Sequence, residues 1–210
     1  RYPGYSHEHN PEMPMLMRHL RTYGMKTISF SNFADRHTAW WFHAGFEEFH
    51  TISLKRGSET ADEVNAAVLP WLKNHCAEDN YFLHIHYWDI HSPYRVPDMQ
   101  KWIDKFKNSP ISDWPDEKTI KFQYENIYGP RTARDLYMGY ENGERPDSYP
   151  WMPKEIANRN DLKMLIDGYD ASINYADYHI GQILDVLKEK GILDDIVFIM
   201  SSSLSIPSAL

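Results

Sequence analysis

The sequence predicts an α/β fold with a predominantly parallel sheet flanked by helices. A segment with helical periodicity is followed, three times along the chain, by a short apolar segment rich in strand-forming residues. The three pairs are residues 11–24 and 25–30, residues 60–76 and 81–88, and residues 161–191 and 194–202. Helix and strand in alternation favour parallel pairing, in which ligands bind beyond the carboxyl ends of the strands. The 210 residues, 42% of them hydrophobic, are enough for a sizeable core.

The first pair is predicted from an apolar helical face that ends at a glycine. Its apolar residues are Met13, Leu16, Met17 and Leu20. They recur at helical spacing over residues 11–23, and Gly24 can adopt the left-handed conformation that ends many helices. Residues 25–30 then alternate in polarity and predict a strand.

The second pair begins at a capping signal. Thr60 and Glu63 have the spacing of a capping box, and Pro70 predicts a kink in the helix that follows. Residues 81–88 are too short for an independent helix and are rich in strand formers. They predict a central strand over residues 81–87, whose carboxyl end would place the following loop at a ligand site.

The third pair follows a long irregular region. Residues 96–158 are rich in proline, tryptophan and charge without a sustained period, which is typical of a functional insertion or an active-site loop with short helices. Residues 161–191 predict a long amphipathic helix that begins at Asp161 and ends at Gly191. Residues 194–202 then predict a buried strand.

Charge and cysteine content exclude several classes of protein. The net charge is -8 and no lysine or arginine cluster could follow a phosphate backbone, so we expect no nucleic-acid partner. Cys76 is the only cysteine, which excludes an internal disulfide or a cysteine-based zinc site within the chain. No apolar run is long enough to span a bilayer, so we expect no membrane span.

The segment YFLHIHYWDIHSPYR, residues 81–95, concentrates the side chains that could perform chemistry. His84 and His86 share one face of the predicted strand, where they could bind a metal or form a buried pair satisfied by the backbone or by hydroxyl groups. His91 lies in the loop beside Asp89 and ahead of a Ser-Pro turn. It could donate to an anionic ester oxygen or carry a proton to a leaving group, or it could be a structural loop histidine.

This segment resembles the strand and loop of the sulfatases, members of the alkaline phosphatase superfamily, in which it takes approximately the form FLHVxYWDPHTPYR. Three further segments are similar to sulfatase segments in the expected order. They are RYPG at residues 1–4, FADRHTAWWFHAGFEEFH at residues 33–50, and residues 164–202.

The resemblance implies an alkaline-phosphatase-like core that hydrolyses sulfate esters of small molecules or glycans. Sulfatases use a cysteine or serine converted to formylglycine, together with a calcium ion that neutralises the sulfate oxygens. His91 matches the family histidine that contacts the sulfate group and the ester oxygen. Asp89 and Arg95 are expected to be its neighbours in substrate binding.

The chain departs from the sulfatase pattern at both ends. The formylglycine motif C/S-x-P/A-x-R is expected upstream of Arg1, and Cys76 in CAEDN does not match it. Ser203 stands where the family has the metal-binding aspartate of DHGE. We therefore expect residues 1–210 to be part of a sulfatase N-terminal catalytic domain with an incomplete core. This part would have no metal ligands of its own, no activity alone and exposed apolar surface.

Two alternatives to a sulfatase remain open from the sequence. The chain could belong to a phosphate or phosphonate ester hydrolase of the same superfamily, because the nucleophile that discriminates them is expected upstream. It could also be a non-catalytic glycan-binding module, as the aromatic residues of the region 96–158 suggest.

Overall fold

Three parallel strands form the sheet of this protein. The structure, a computed structural model, describes residues 15–53, 59–91, 94–126, 153 and 155–202, apart from the side chains of residues 40 and 41. The strands are β1 (Lys26–Phe30), β2 (Glu48–His50) and β3 (Tyr81–Ile85), and their order in the sheet is β2-β1-β3. Both pairings are parallel, which confirms the predicted fold class.

Six α-helices and two short 3-10 helices accompany the strands in the described part of the chain. The α-helices are α1 (Leu16–Thr22), α2 (Phe33–His37), α3 (Ala61–His75), α4 (Met99–Ile103), α5 (Glu117–Asn126) and α6 (Arg159–Glu189). The 3-10 helices are Trp40–His43 and Leu193–Asp195. None of the described helices is both long enough and apolar enough to cross a membrane.

The chain divides into two compact units. The first unit comprises the described parts of residues 1–88 and 179–197 and contains the sheet. The second unit comprises the described parts of residues 89–178 and 198–210.

The core of the first unit lies between β1, α3 and the end of α6. Val64, Val68 and Leu72 recur at helical spacing on α3 and are almost fully buried. They belong to one apolar cluster with Ile28 and Phe30 of β1. The last turns of α6 add Ile183, Val186 and Leu187 to this cluster. Burial of such side chains, at roughly 1.5–3 kcal/mol each, is the main force that holds the helices on the sheet.

Two local signals in the sequence correctly mark the end of α1 and the start of α3. Gly24 has φ +76°, the left-handed conformation that terminates α1. At the start of α3, the Glu63 carboxylate accepts a hydrogen bond from the Thr60 backbone N–H at 3.1 Å. The helix continues through Pro70 to His75, so this proline does not end it.

The middle strand of the described sheet is β1, and the prediction that residues 81–87 form a central strand is wrong. β3 pairs with β1 on one side and ends at Ile85. The His86 N–H still donates to the Phe30 carbonyl at 3.1 Å, so the contact with β1 extends one residue beyond the end of β3. Strand order depends on contacts between distant segments, which local periodicity does not contain.

The prediction of a buried strand over residues 194–202 is also wrong. Residues 193–195 form a 3-10 helix, and the residues from 196 to 202 belong to no strand. Val197 and Ile199 are 86% and 78% exposed. An apolar, β-branched run forms a buried strand only where a neighbouring strand and a covering layer are available, and none of the described strands pairs with this segment.

The second unit contains the described part of the region 96–158. Helices α4 and α5 interrupt it, as predicted, whereas residues 127–152 and residue 154 lie outside the described residues. Ile120 of α5 is buried with Ile156 and with Leu162 of α6. Trp102 packs edge-on against Tyr175, with ring centroids 5.2 Å apart, so this tryptophan serves the packing of the unit.

We predict that Leu72→Ala lowers the free energy of unfolding by about 2–5 kcal/mol, because it removes a side chain that is 1% exposed and leaves a cavity in the core. The neighbouring Lys73 is exposed on the same helix, so Lys73→Ala is the matched control and should change stability by less than about 0.5 kcal/mol. Urea unfolding of both variants measures the difference. Equal losses in the two variants would contradict this placement of the core.

Candidate functional site at the carboxyl edge of the sheet

The parallel sheet brings three segments of the chain together at its carboxyl edge. β1, β2 and β3 all end at this edge. The pairing of β1 with β2 continues one residue beyond the end of β1, since the Ser31 N–H donates to the His50 carbonyl at 3.1 Å. This is the edge at which α/β proteins place ligands.

Two serines of β1 and its extension are the partners of the strand histidines. The register pairs Ser29 with His84, and the Ser29 hydroxyl lies 2.9 Å from Nδ1 of His84. Two residues further on, the Ser31 hydroxyl lies 3.4 Å from Nδ1 of His86. The two imidazoles are stacked with centroids 6.1 Å apart. Of the two interpretations that the sequence left open, the structure confirms histidines satisfied by neighbouring hydroxyl groups.

Burial keeps these imidazoles neutral. Loss of hydration is the largest cause that lowers the pKa of His86, followed by the neighbouring groups His84, His37 and Arg36, and together they bring it to about 4. Burial alone lowers the pKa of His84. At neutral pH both rings are therefore uncharged hydrogen-bonding groups, each with one donor and one acceptor nitrogen.

Helix α2 brings a cation and aromatic rings to Trp88, the residue three positions beyond β3. The guanidinium carbon of Arg36 lies 4.2 Å from the centroid of the indole. The rings of His37 and His86 lie 5.5 Å and 5.0 Å from it. Phe33 contacts both histidine rings, at 4.6 Å and 5.9 Å. We name these five residues, Phe33, Arg36, His37, His86 and Trp88, the Trp88 cluster.

A buried pair of polar residues fixes the turn from which α2 begins. Asn32 Oδ1 accepts a hydrogen bond from the Ile52 N–H at 2.6 Å, and its Nδ2 donates to the Ser53 carbonyl at 2.7 Å and to Glu59 Oε1. Asn32 and Glu59 are each 3% exposed. Sequence reasoning missed both residues, because no motif or period distinguishes them from ordinary loop residues.

The three residues predicted to bind substrate lie in the second unit. Asp89 is buried, whereas His91 and Arg95 are partly exposed and therefore accessible in part to solvent. The His91 carbonyl accepts a hydrogen bond from the Tyr94 N–H at 3.1 Å, across residues 92 and 93, which lie outside the described residues. This bond holds the backbone of Tyr94 against that of His91.

Tyr94, three residues beyond His91, is fixed by packing in the second unit. Its side chain is buried, with its ring 6.0 Å from that of Tyr169. Burial raises the pKa of Tyr94 to about 12, with smaller contributions from Tyr169 and Asp170. The phenol is therefore a neutral group at physiological pH.

The described residues do not fit a calcium ion or the formylglycine nucleophile. Calcium takes six to eight oxygen ligands, whereas the polar side chains we find at the carboxyl edge are largely imidazoles and hydroxyl groups. Among the residues that the structure describes, no three His, Cys, Asp or Glu side chains are grouped so that they could hold a metal ion. Cys76 is buried in the core of the first unit at the end of α3, away from solvent.

The parallel sheet with polar and aromatic side chains at its carboxyl edge defines an α/β protein of the kind that binds ligands at that edge. The family model described as Sulfatase matches residues 5–202. The chain therefore belongs to the sulfatase family, whose members are hydrolases that act on sulfated substrates. Neither the curated proteins nor the solved structures contain a match to this chain.

We predict that the free energy of unfolding falls as the pH is lowered from about 6.5 to about 4. The folded protein holds the pKa of His86 at about 4, while the unfolded chain titrates near 6.5, so the unfolded state binds more protons between these values. His86→Asn removes this titration. Urea unfolding at pH 7 and pH 5 should show a smaller loss of stability in the variant than in the wild type. An identical loss would show that His86 titrates normally in the folded protein.

Proposed function

We propose that residues 1–210 are part of the catalytic domain of a sulfuric ester hydrolase and carry its substrate-contacting histidine loop. The observation that carries this proposal is the family match over residues 5–202, which includes the whole segment 81–95. The position of that segment supports it, because the loop follows β3 at the carboxyl edge of a parallel sheet. The substrate is a sulfated small molecule or glycan.

In this proposal His91 donates an N–H to the ester oxygen of the substrate. When the S–O bond breaks, negative charge develops on that oxygen, and a positioned donor stabilises the charge or transfers a proton to it. The guanidinium of Arg95 offers paired donors that suit the sulfate oxygens. The buried carboxylate of Asp89 orients the loop from within the second unit.

We also propose that this chain binds a sulfate ester without hydrolysing it. The chemistry implied for the family requires formylglycine as nucleophile and calcium as counter-ion. Cys76 is buried in the core, and the described residues offer no group of calcium ligands. Both groups would have to come from outside the residues described here.

The first test is the affinity of the chain for 4-nitrophenyl sulfate, measured by isothermal titration calorimetry. We expect His91→Ala to weaken binding about 10- to 100-fold, because a hydrogen bond to a charged group contributes about 1.5–3 kcal/mol. His75 is a histidine at the surface end of α3, paired with Glu78 at 2.6 Å, and His75→Ala is the matched control. It should leave the affinity unchanged.

Two results would contradict this function. If 4-nitrophenyl phosphate binds more tightly than the sulfate and shows the same dependence on His91, the chain belongs to a phosphate ester hydrolase. If 4-nitrophenyl sulfate with added calcium is hydrolysed in proportion to the amount of protein, a nucleophile other than formylglycine is present within these residues.

A further inference from the structure

Two lysine side chains of the second unit are held against one buried indole. Trp102 of α4 is 6% exposed. The Nζ atom of Lys105 lies 4.5 Å from the centroid of its ring, and the Nζ atom of Lys101 lies 5.3 Å from it. Both lysines are exposed, and they are four positions apart, the spacing at which side chains of a helical turn are neighbours. The indole therefore brings two positive charges together at the surface.

No carboxylate of the described residues neutralises these two ammonium groups by a salt bridge. Lys105 donates to the amide oxygen of Asn174 at 2.6 Å, which fixes the side chain and leaves its charge uncompensated. The next lysine along the chain, Lys107, pairs instead with Asp104 at 3.6 Å. Like charges four positions apart on a helical turn repel each other, and a bound anion would offset that repulsion.

An exposed aromatic ring of α6 lies beside the lysines. The ring of Tyr178 is 5.7 Å from that of Trp102, and Tyr178 is 55% exposed. An exposed ring beside charged donors can pack against the apolar face of a sugar while the donors bind its anionic substituents. All of these residues belong to the second unit. We name Lys101, Lys105 and Tyr178, arranged around Trp102, the Trp102 surface.

We propose that the Trp102 surface binds a sulfated glycan chain through sulfate groups other than the ester that is hydrolysed. Lys101 and Lys105 bind these groups as point charges, and Tyr178 packs against a sugar ring. The paired ammonium groups require an anionic ligand, and the exposed ring favours one that carries sugars. The choice of a sulfated glycan rests on the proposed function, whereas binding at this surface does not depend on His91.

The test compares four probes by isothermal titration calorimetry with the 210-residue chain. The probes are a tetrasaccharide with several sulfate groups, the same tetrasaccharide without sulfate, inorganic tripolyphosphate, and 4-nitrophenyl sulfate. The double variant Lys101→Gln/Lys105→Gln should bind the sulfated tetrasaccharide about 3- to 30-fold more weakly than the wild type, because exposed charge pairs contribute modestly. Its affinity for 4-nitrophenyl sulfate should be unchanged. The tetrasaccharide without sulfate should bind the wild type at least about 3-fold more weakly than the sulfated one.

Two further double variants separate a specific surface from net charge. Lys118 and Lys121 are exposed on α5 of the same unit, and Lys121 pairs with Glu125 at 3.9 Å. Lys118→Gln/Lys121→Gln removes the same charge from that unit, and it should change the affinity for the sulfated tetrasaccharide by less than about 2-fold. Lys101→Arg/Lys105→Arg keeps both charges, so it should retain most of the affinity that the glutamine variant loses.

Three results would overturn the Trp102 surface as a glycan site. The first is a loss of less than 3-fold in Lys101→Gln/Lys105→Gln, and the second is an equal loss in the Lys118 and Lys121 variant. The third is tripolyphosphate that binds at least as tightly as the sulfated tetrasaccharide with the same dependence on the lysines, because the surface would then take any polyanion.

The probe 4-nitrophenyl sulfate separates this inference from the proposed function. If His91→Ala leaves its affinity intact while Lys101→Gln/Lys105→Gln weakens only the sulfated tetrasaccharide, the role of His91 fails and the Trp102 surface stands. If His91→Ala weakens it while the lysine variant changes no affinity, the proposed function stands and the Trp102 surface fails.

Discussion

The pairing of β1 with strands on both sides is the constraint on which the rest of the structure depends. Residues 27–30 are almost completely buried, so the strand can satisfy its backbone only through β2 and β3. Because both pairings are parallel, the segments after all three strands emerge at one edge. That edge gathers Ser31, Thr51 and His86, which are far apart in sequence. Loss of the backbone hydrogen bonds of β1 would therefore separate the residues of the candidate site as well as the strands of the sheet.

Burial at this edge determines the protonation of His84 and His86. A charged His86 would have to lose hydration beside Arg36 and His37, which is why its pKa falls to about 4. The neutral ring costs less free energy to bury and still offers a donor and an acceptor. The permanent positive charge of the edge comes from Arg36, and the neutral histidines supply hydrogen bonds.

Features that local patterns determine, such as the ends of helices, can be predicted from the sequence. Features that depend on contacts between distant segments, such as strand pairing, cannot. Gly24 and the pair of Thr60 and Glu63 are local signals, and the structure places helix ends at both. The apolar run 196–200 has the composition of a buried strand, but composition does not provide a pairing partner, and residues 197–200 are exposed. The contact between Arg36 and Trp88 joins residues about fifty positions apart. No motif in either segment predicts it, although a parallel pairing of the two strands would have placed both segments at one edge.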